Sequence, residues 1–179
     1  MEKAVLTKWV IDPTHSEVQF KVKHLVISTV TGKFKEFSGS IEHEEEGFEN
    51  AQVEFSAKIN SVETGVADRD AHLKSDDFFN AEKHPELIFK GNKFVKIDVN
   101  HYQLTGDLTI RDVTQEIELN VFYGGTVTDP YGQTKAGFEL SGQINRKDFN
   151  LKWSAVTEAG SVVVSDQVKL DLNIQLVQN

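Results

Sequence analysis

The amino-acid sequence predicts an all-β protein, an eight-stranded antiparallel β-barrel with a short helical insertion around residues 65–77. Two observations favour this class. Several long segments alternate apolar and polar residues with a period of two, so each strand has one apolar and one polar face. The clearest segments are residues 102–110, 136–144 and 168–176. Glycine repeatedly occupies their apolar phase, which marks a bend or a close contact in a strand.

The first three predicted strands lie before residue 60. The first begins at residues 9–11, is broken by Asp12-Pro13, and continues over residues 18–24. The second covers residues 28–42 and the third covers residues 51–59. In each of them the apolar residues recur at every second position, as expected for a strand with one buried face.

A change of pattern between residues 64 and 80 indicates that the chain leaves the sheet. The apolar residues there fit no period of two, and the charged residues among them suggest a short helix. A strand restarts after Pro85 and reaches residue 97. Asn92 lies either in a turn within this segment or in a bulge of one continuous strand.

The remaining strands are long. They cover residues 102–110, 117–123, 136–145 and 168–176. Gly124-Gly125 allows a bend, and the DPYG sequence at residues 129–132 is a strong turn signal. The total is about eight strands, several with roughly ten residues or more against a mean of about 5–6. Long strands suit a barrel better than a small sandwich.

Length and composition narrow the choice of protein class. A chain of 179 residues is expected to form one domain over residues 1–179. It has no cysteine, which excludes disulfides and thiolate metal sites. The 19 basic and 28 acidic residues give a net charge of −9, which argues against nucleic acid as a partner. The densest acidic run, residues 42–49, is interpreted as a solvated hairpin turn in preference to a cation site.

The ends and apolar runs of the sequence bear on localisation. The first eight residues lack the apolar run of about 7–15 residues that a secretory signal requires. No stretch approaches the roughly 18 apolar residues of a membrane-spanning helix. A cytoplasmic location is therefore the default expectation, and a periplasmic or extracellular one applies if a leader has been removed.

Four blocks in order resemble the YceI-like family, also called polyisoprenoid-binding proteins. The first is WVIDPTHSEVQFKVKHL at residues 9–25, and the second is VTGKF at residues 30–34. RDAHLKSDDFF at 69–79 and HPELIF at 84–89 resemble the family's helical insertion and return strand. LTGDLTIR at 104–111 resembles the strand that follows.

This resemblance implies a lipocalin-like barrel that holds a long isoprenoid chain in its interior. It also allows a homodimer. The sequence departs from the family where glycine is common, with Asp112 after Arg111 and Asn150 after Phe149. Asp and Asn tolerate left-handed backbone better than most residues, so both are interpreted as turn replacements.

The inward-facing apolar residues are the candidate ligand contacts. They are Val18, Phe20, Val22, Phe37, Ile41, Val53, Phe55, Leu104, Leu108, Phe138, Leu140, Leu170 and Leu172. Gly39, Gly106 and Gly142 share their phase and either free space along the barrel axis or relieve strain where strands coil. From the residues alone the strain explanation is the stronger; the family resemblance favours the ligand tunnel.

The helical insertion contributes four further candidates. Phe78 and Phe79 either cap the tunnel or anchor the helix to the barrel. Arg69 and His72 lie three residues apart, hence on one helix face. They either contact a polar or pyrophosphate head group or serve in helix capping and a salt bridge to a nearby carboxylate.

Catalytic and metal chemistry have little support in the sequence. His15 and Ser16 are adjacent, and adjacent strand residues point to opposite faces, so a nucleophile–base pair is disfavoured. The six histidines are dispersed without the spacing of a metal site. We therefore expect that the protein is not an enzyme and that it needs no cofactor.

The function favoured at this level is non-enzymatic binding, transport or storage of a long-chain isoprenoid amphiphile, such as a polyprenyl phosphate or an isoprenoid quinone. An alternative is a fully packed barrel that acts as a protein-interaction or stress-response module. An isomerase or cyclase acting inside the tunnel would require buried titratable groups that the sequence does not identify. An eight-stranded barrel is compatible with a filled core or with one ligand.

Overall fold

The computed structural model describes residues 6–44, 47–153 and 164–179, which form one antiparallel sheet closed into a barrel. Its strands are β1 (Thr7–Ile11), β2 (Glu17–His24), β3 (Ser28–Phe34), β4 (Phe37–His43), β5 (Gln52–Lys58), β6 (Val62–Glu63), β7 (Glu86–Lys96), β8 (His101–Ile110), β9 (Val113–Thr128), β10 (Thr134–Asn145) and β11 (Gln167–Gln178). One helix in this part of the chain, α1 (Ala67–Lys74), lies between β6 and β7. Short 3₁₀ turns cover Pro13–His15, Ile59–Ser61 and Arg146–Phe149.

Eight strands close the ring, in the order β1, β4, β5, β7, β8, β9, β10 and β11, with β11 paired back to β1. β2, β3 and β6 extend the first three strands of the barrel beyond local breaks, and they pair in the order β11, β2, β3, β6. The all-β class and the closed eight-stranded antiparallel barrel with its short helix are therefore confirmed.

The break in the first strand is held by side-chain hydrogen bonds. Asp12 accepts a hydrogen bond from the Thr14 backbone N–H at 3.1 Å, and its other carboxylate oxygen lies 2.8 Å from His15 Nδ1. On the neighbouring strand, the Gln175 N–H donates to Ser16 Oγ at 2.9 Å, and Gln175 O accepts from the Asp12 N–H at 2.8 Å. The bend therefore leaves no gap against β11.

The insertion between β6 and β7 occupies one end of the barrel. β6 forms a ladder with β3, and in the described part of the chain it forms none with β7. α1 packs against β6, and Phe78 and Phe79 in the loop that follows it are buried. We call this the insertion end; the β2–β3 turn and the 3₁₀ turn Arg146–Phe149 lie there too.

Arg111 fastens the loop after α1 to the barrel. Its guanidinium donates to the carbonyl oxygens of Asp76 at 2.8 Å and Phe78 at 2.9 Å, and to the Asp76 carboxylate at 2.7 Å. The fork of Arg donors suits several acceptors at once. Because Arg111 lies between β8 and β9, and β8 pairs with β7, it joins the insertion to the strands that follow β7 in the sheet.

Arg146 performs the same task at the end of β10. Its side chain is 2% exposed and donates to the carbonyl oxygens of Leu151 and Trp153 at 2.6 Å each, and of Ser165 at 2.9 Å. Asp166 lies 3.6 Å away. Burial lowers the pKa of Arg146, and the Asp166 charge opposes that effect. Arg146 thus joins the chain on both sides of residues 154–163.

The turns and irregularities agree with the sequence in part. β7 is one continuous strand with its register shifted between Gly91 and Lys93, so Asn92 lies in a bulge. Asn150 has the predicted left-handed backbone, with φ 62°. In the β8–β9 turn the left-handed residue is Arg111, with φ 57°, and not Asp112 as expected. Two of the acidic-run residues, Glu45 and Glu46, lie outside the described residues.

The inward-phase glycines correct one expectation. A Cβ at Gly106 would lie 2.5 Å from Lys90 O, and one at Gly39 would lie 2.8 Å from Glu54 O. A Cβ at Gly142 would lie 2.6 Å from a methyl group of Leu119. Neighbouring strands already fill the space, so these glycines permit close approach of coiled strands and do not widen the interior.

Substituting Gly106 tests this conclusion. Gly106→Ala is expected to lower the free energy of unfolding by about 1–3 kcal/mol, since its new methyl group meets the backbone of β7, which side-chain rotation cannot move. Gly137→Ala is the control, because a Cβ there meets nothing within 4 Å, and a change within about 0.5 kcal/mol is expected. Equal losses in urea unfolding would contradict the close-contact explanation.

The bend at Asp12 predicts a pH dependence. The hydrogen bond from His15, followed by that from Thr14, lowers the pKa of Asp12 from 3.8 to about 2. A lowered carboxyl pKa stabilises the fold above the unfolded value and loses that effect as the pH falls towards the folded value. The difference in unfolding free energy between the wild type and Asp12→Asn should therefore be constant near neutral pH and decline below 3.8.

The same titration in a His15→Ala background provides the comparison for Asp12. There the decline should be smaller, because the hydrogen bond that contributes most is gone. A difference that stays constant down to a pH of about 2 in the wild-type background would refute the assignment.

Replacing Arg146 tests its role at the insertion end. Arg146→Lys is expected to cost about 3 kcal/mol of unfolding free energy, because an ammonium cannot reach carbonyls on both sides and leaves buried acceptors unpaired. Lys147→Ala is the control: its ion pair with Asp166, at 3.3 Å, is more than 40% exposed on both sides, so a loss below about 1 kcal/mol is expected. Comparable losses of unfolding free energy in Arg146→Lys and Lys147→Ala, measured by chemical denaturation, would contradict this role of Arg146.

Candidate functional site

The barrel encloses a cavity of about 360 Å³. This size falls in the range of about 300–1,000 Å³ typical of small-molecule sites. Inward side chains of the strands form nearly all of its wall, and the wall is overwhelmingly apolar. The alternation predicted from the sequence produces this surface, because every second residue of each strand faces the same interior.

The sequence-predicted residues lie around this cavity. All of the apolar candidates except Phe37 border it, namely Val18, Phe20, Val22, Ile41, Val53, Phe55, Phe78, Phe79, Leu104, Leu108, Phe138, Leu140, Leu170 and Leu172. Arg69 and His72 also border it. The structure therefore brings together residues that lie more than 150 positions apart in the chain.

Phe37 departs from the expected position. It shares the inward phase of Ile41 but begins β4, and it does not border the cavity. Its ring stacks on Phe55, with centroids 6.2 Å apart and planes at 30°. Phase gives the face of a strand, whereas the height along the barrel axis decides whether a side chain reaches the cavity.

Several inward side chains are only partly buried although they lie inside the barrel. Phe20, Val53, Phe55, Leu140 and Leu172 pack against the core yet retain accessible surface. In a filled core such residues would be covered on all sides. These five residues border the empty cavity, so the part of the interior around them is not filled by side chains.

The end of the barrel opposite the insertion is filled by aromatic residues, and we call it the closed end. Phe48 is 4% exposed and contacts the rings of Trp9, Phe94 and Phe138, with centroids 5.0–6.4 Å apart. Trp9 Nε1 donates to His43 Nε2 at 2.8 Å, so that imidazole nitrogen carries no proton. Phe94 and Phe138 also border the cavity, which makes this cluster its floor.

Sequence reasoning missed Phe48. It lies in the acidic run that was interpreted as a solvated turn, and the structure instead buries its ring in the barrel. A large aromatic residue among charged ones was the available signal, because a solvated turn rarely carries one.

At the insertion end, His72 lies between two aromatic rings. Its ring is 4.8 Å from Trp153 and 5.1 Å from Phe78, centroid to centroid, and both contacts are edge-to-face. His72 Nε2 is 2.9 Å from an Asp77 carboxylate oxygen, as the ion-pair interpretation expects. Phe78 and Phe79 are both buried and both border the cavity. Their positions are compatible with both predicted roles, which are anchoring the helical insertion to the barrel and capping the tunnel.

Within the part of the chain that the structure describes, Arg69 is held by a threonine and not by a carboxylate. Its Nε donates to Thr64 Oγ1 at 2.7 Å and its Nη2 to Thr64 O at 2.6 Å. Asp70 accepts from the Thr64 backbone N–H at 2.8 Å, which fixes the start of α1. Lys23 also borders the cavity, and its ammonium donates to Thr29 Oγ1 at 2.9 Å. Positive groups thus lie at the insertion end in a chain of net charge −9.

The residues considered for catalysis or metal binding have other partners. His15 contacts Asp12, and Ser16 bonds to the backbone of Gln175, so the two do not form a nucleophile–base pair. Among the described residues, no group of three or more His, Asp or Glu side chains is arranged to hold a metal ion. No helix within residues 6–44, 47–153 and 164–179 is long and apolar enough to span a bilayer.

Relatives from bacteria resemble this chain over most of its length. A UPF0312 protein of Photorhabdus laumondii is 43% identical over 138 residues, which is 77% of this chain and 71% of that protein. Protein YceI of Escherichia coli O157:H7 is 37% identical over 164 residues, which is 92% of this chain and 82% of that protein.

Solved structures share the fold. The Campylobacter jejuni YceI protein is 36% identical, with a TM-score of 0.73, and the match covers 98% of this chain and 97% of that one. Burkholderia cenocepacia BcnA is 19% identical with a TM-score of 0.80, covering 92% and 98%. A polyisoprenoid-binding domain from Saccharophagus degradans is 18% identical with a TM-score of 0.67, covering 94% and 97%.

A family model agrees with these matches and with the blocks that the sequence carries. It describes a YceI-like domain and matches residues 9–176, nearly the whole chain. The barrel of eight strands, the helix between β6 and β7 and the relatives above lead to the same assignment. The chain belongs to the YceI-like family.

Proposed function

We propose that this protein binds a long-chain isoprenoid amphiphile in the barrel and carries or stores it without chemical conversion. The observation that carries the proposal is the apolar cavity of about 360 Å³, closed by aromatic rings at one end and bordered by positive groups at the other. An apolar tail fits the first feature and a polar head group fits the second. The polyisoprenoid-binding domain of Saccharophagus degradans, which has the same barrel, supports the ligand class.

The orientation of the ligand follows from the distribution of polarity. The tail lies against Leu140, Leu172 and the floor at Phe138, which are apolar side chains of the cavity wall. The head group lies at the insertion end beside Arg69 and His72, as in a polyprenyl phosphate or an isoprenoid quinone. The packed-barrel alternative receives less support, since the interior retains an empty volume.

Affinity should depend on tail length. Burial contributes about 0.8 kcal/mol per methylene before ordering costs, so each five-carbon isoprene unit adds up to roughly 4 kcal/mol until the cavity is full. Titration with dimethylallyl alcohol, geraniol, farnesol and geranylgeraniol is expected to give rising affinity and then a plateau. Equal affinity for the shortest and the longest alcohol would refute the proposal.

An occluded variant separates the interior from the outer surface. Leu140→Trp places an indole ring in the cavity where the wild type has a smaller aliphatic side chain, and it should weaken farnesol binding at least tenfold. Ser141→Trp is the matched control, because Ser141 is the next residue of β10 and faces outward, so binding should stay within twofold. Native mass spectrometry of the freshly purified protein, with organic extraction, should reveal a lipid-sized adduct in the wild type and less of it in Leu140→Trp.

A further inference from the structure

The turn between β2 and β3 exposes aliphatic side chains at the insertion end. Val26 is 69% exposed and Ile27 is 86% exposed, and with Leu25 they form the whole connection between the paired residues His24 and Ser28. We call residues 25–27 the hairpin tip. Exposure of aliphatic side chains to water is unfavourable. A turn made of them therefore indicates a surface that is removed from water when the protein binds something.

The backbone of the hairpin tip does not require these residues. Leu25 has φ 53° and Val26 has φ 67°, both in the left-handed region. Glycine and asparagine are the residues that such turns favour, and a β-branched residue there is an outlier. Turn geometry therefore disfavours Val26, and its presence points to a role for the side chain itself.

The hairpin tip adjoins the cavity. Val22, Lys23 and His24 on one side of it, and Val30 on the other, border the cavity directly. The exposed aliphatic surface is therefore continuous with the end of the apolar interior that carries the positive groups.

Size and charge select the partner. A stable protein interface buries about 800 Å² on each side and involves roughly 20–30 residues, which a tip of three residues does not supply. A bilayer needs no matching shape, since apolar side chains insert among the acyl chains. The Lys23 ammonium donates to Thr29 Oγ1 on the strand behind the tip and forms no ion pair with a carboxylate of the described residues, so a lipid phosphate suits it.

We propose that the hairpin tip docks the insertion end onto a lipid bilayer, with Val26 and Ile27 inserted and Lys23 at the level of the phosphates. The purpose of this contact rests on the proposed function, since docking places the cavity next to the bilayer, from which an isoprenoid ligand would be taken. The contact itself needs no ligand in the cavity. Docking and ligand binding can therefore fail separately.

Vesicle flotation with the full chain tests the docking. The probe is phosphatidylcholine vesicles, with and without phosphatidylglycerol. Val26→Gly/Ile27→Ser suits the left-handed backbone, keeps the fold, and should lower the vesicle partition coefficient at least about tenfold. Ile97→Ser/Val99→Ser removes two aliphatic residues of similar exposure, 64% and 72%, from the β7–β8 turn at the closed end, and should change partition less than twofold.

Three outcomes would overturn the docking proposal. Equal losses in both double variants would mean that general surface hydrophobicity drives flotation. Unchanged flotation of Val26→Gly/Ile27→Ser would remove the tip from the contact. A vesicle-free dimer of the wild type that this variant dissociates, seen by sedimentation, would assign the tip to a second copy of the chain.

A stability measurement and a ligand titration complete the experiment. Val26→Gly/Ile27→Ser should unfold in urea no earlier than the wild type, because glycine relieves the left-handed backbone. It should also bind farnesol from detergent solution with wild-type affinity. Farnesol binding without tip-dependent flotation defeats only the docking, and tip-dependent flotation without farnesol binding defeats only the proposed function.

Discussion

Closure of the barrel depends on the main-chain hydrogen bonds of β11. One edge of this strand pairs with β10 from Lys135 to Asn145, and the other edge is divided between β1 and β2. The division works because the bend at Asp12 keeps its own hydrogen bonds to Gln175, so β11 has no unpaired stretch at the break. A ring of eight strands without a free edge needs every such group satisfied, and β11 achieves this by pairing with both β1 and β2 along one edge.

The same ring of strands is filled at one end and empty at the other. At the closed end the rings of Phe48, Phe94 and Phe138 pack against one another, with centroids 5.0–6.4 Å apart. Towards the insertion end, aliphatic and aromatic side chains of the inward phase border the cavity and do not fill it. The cavity is thus the space that these side chains leave between them, while the glycines of the inward phase only let strands approach.

Two arginines hold the irregular backbone that surrounds the open half. Arg111 bonds the loop after α1, and Arg146 bonds the chain before and after residues 154–163. Backbone outside regular strands leaves carbonyl groups without ladder partners, and a guanidinium can serve several of them. The insertion end is therefore built from loops fixed by side chains, which allows positive groups and exposed aliphatic residues to surround an apolar interior.

Local spacing was sufficient for the strands and their inward faces, because a period of two leaves only two orientations for each side chain. The helical insertion was indicated by the loss of that period, and the family resemblance came from four blocks of residues. The left-handed position of Arg111 and the burial of Phe48 were not available from it, since both depend on partners distant in the chain. Phe37 shows the same limit: its phase was evident, but its height along the axis was not. The sequence alone therefore determined which residues face inward. Only the tertiary structure decided where the interior stays empty, because a cavity is the space left between side chains that different strands bring to one height.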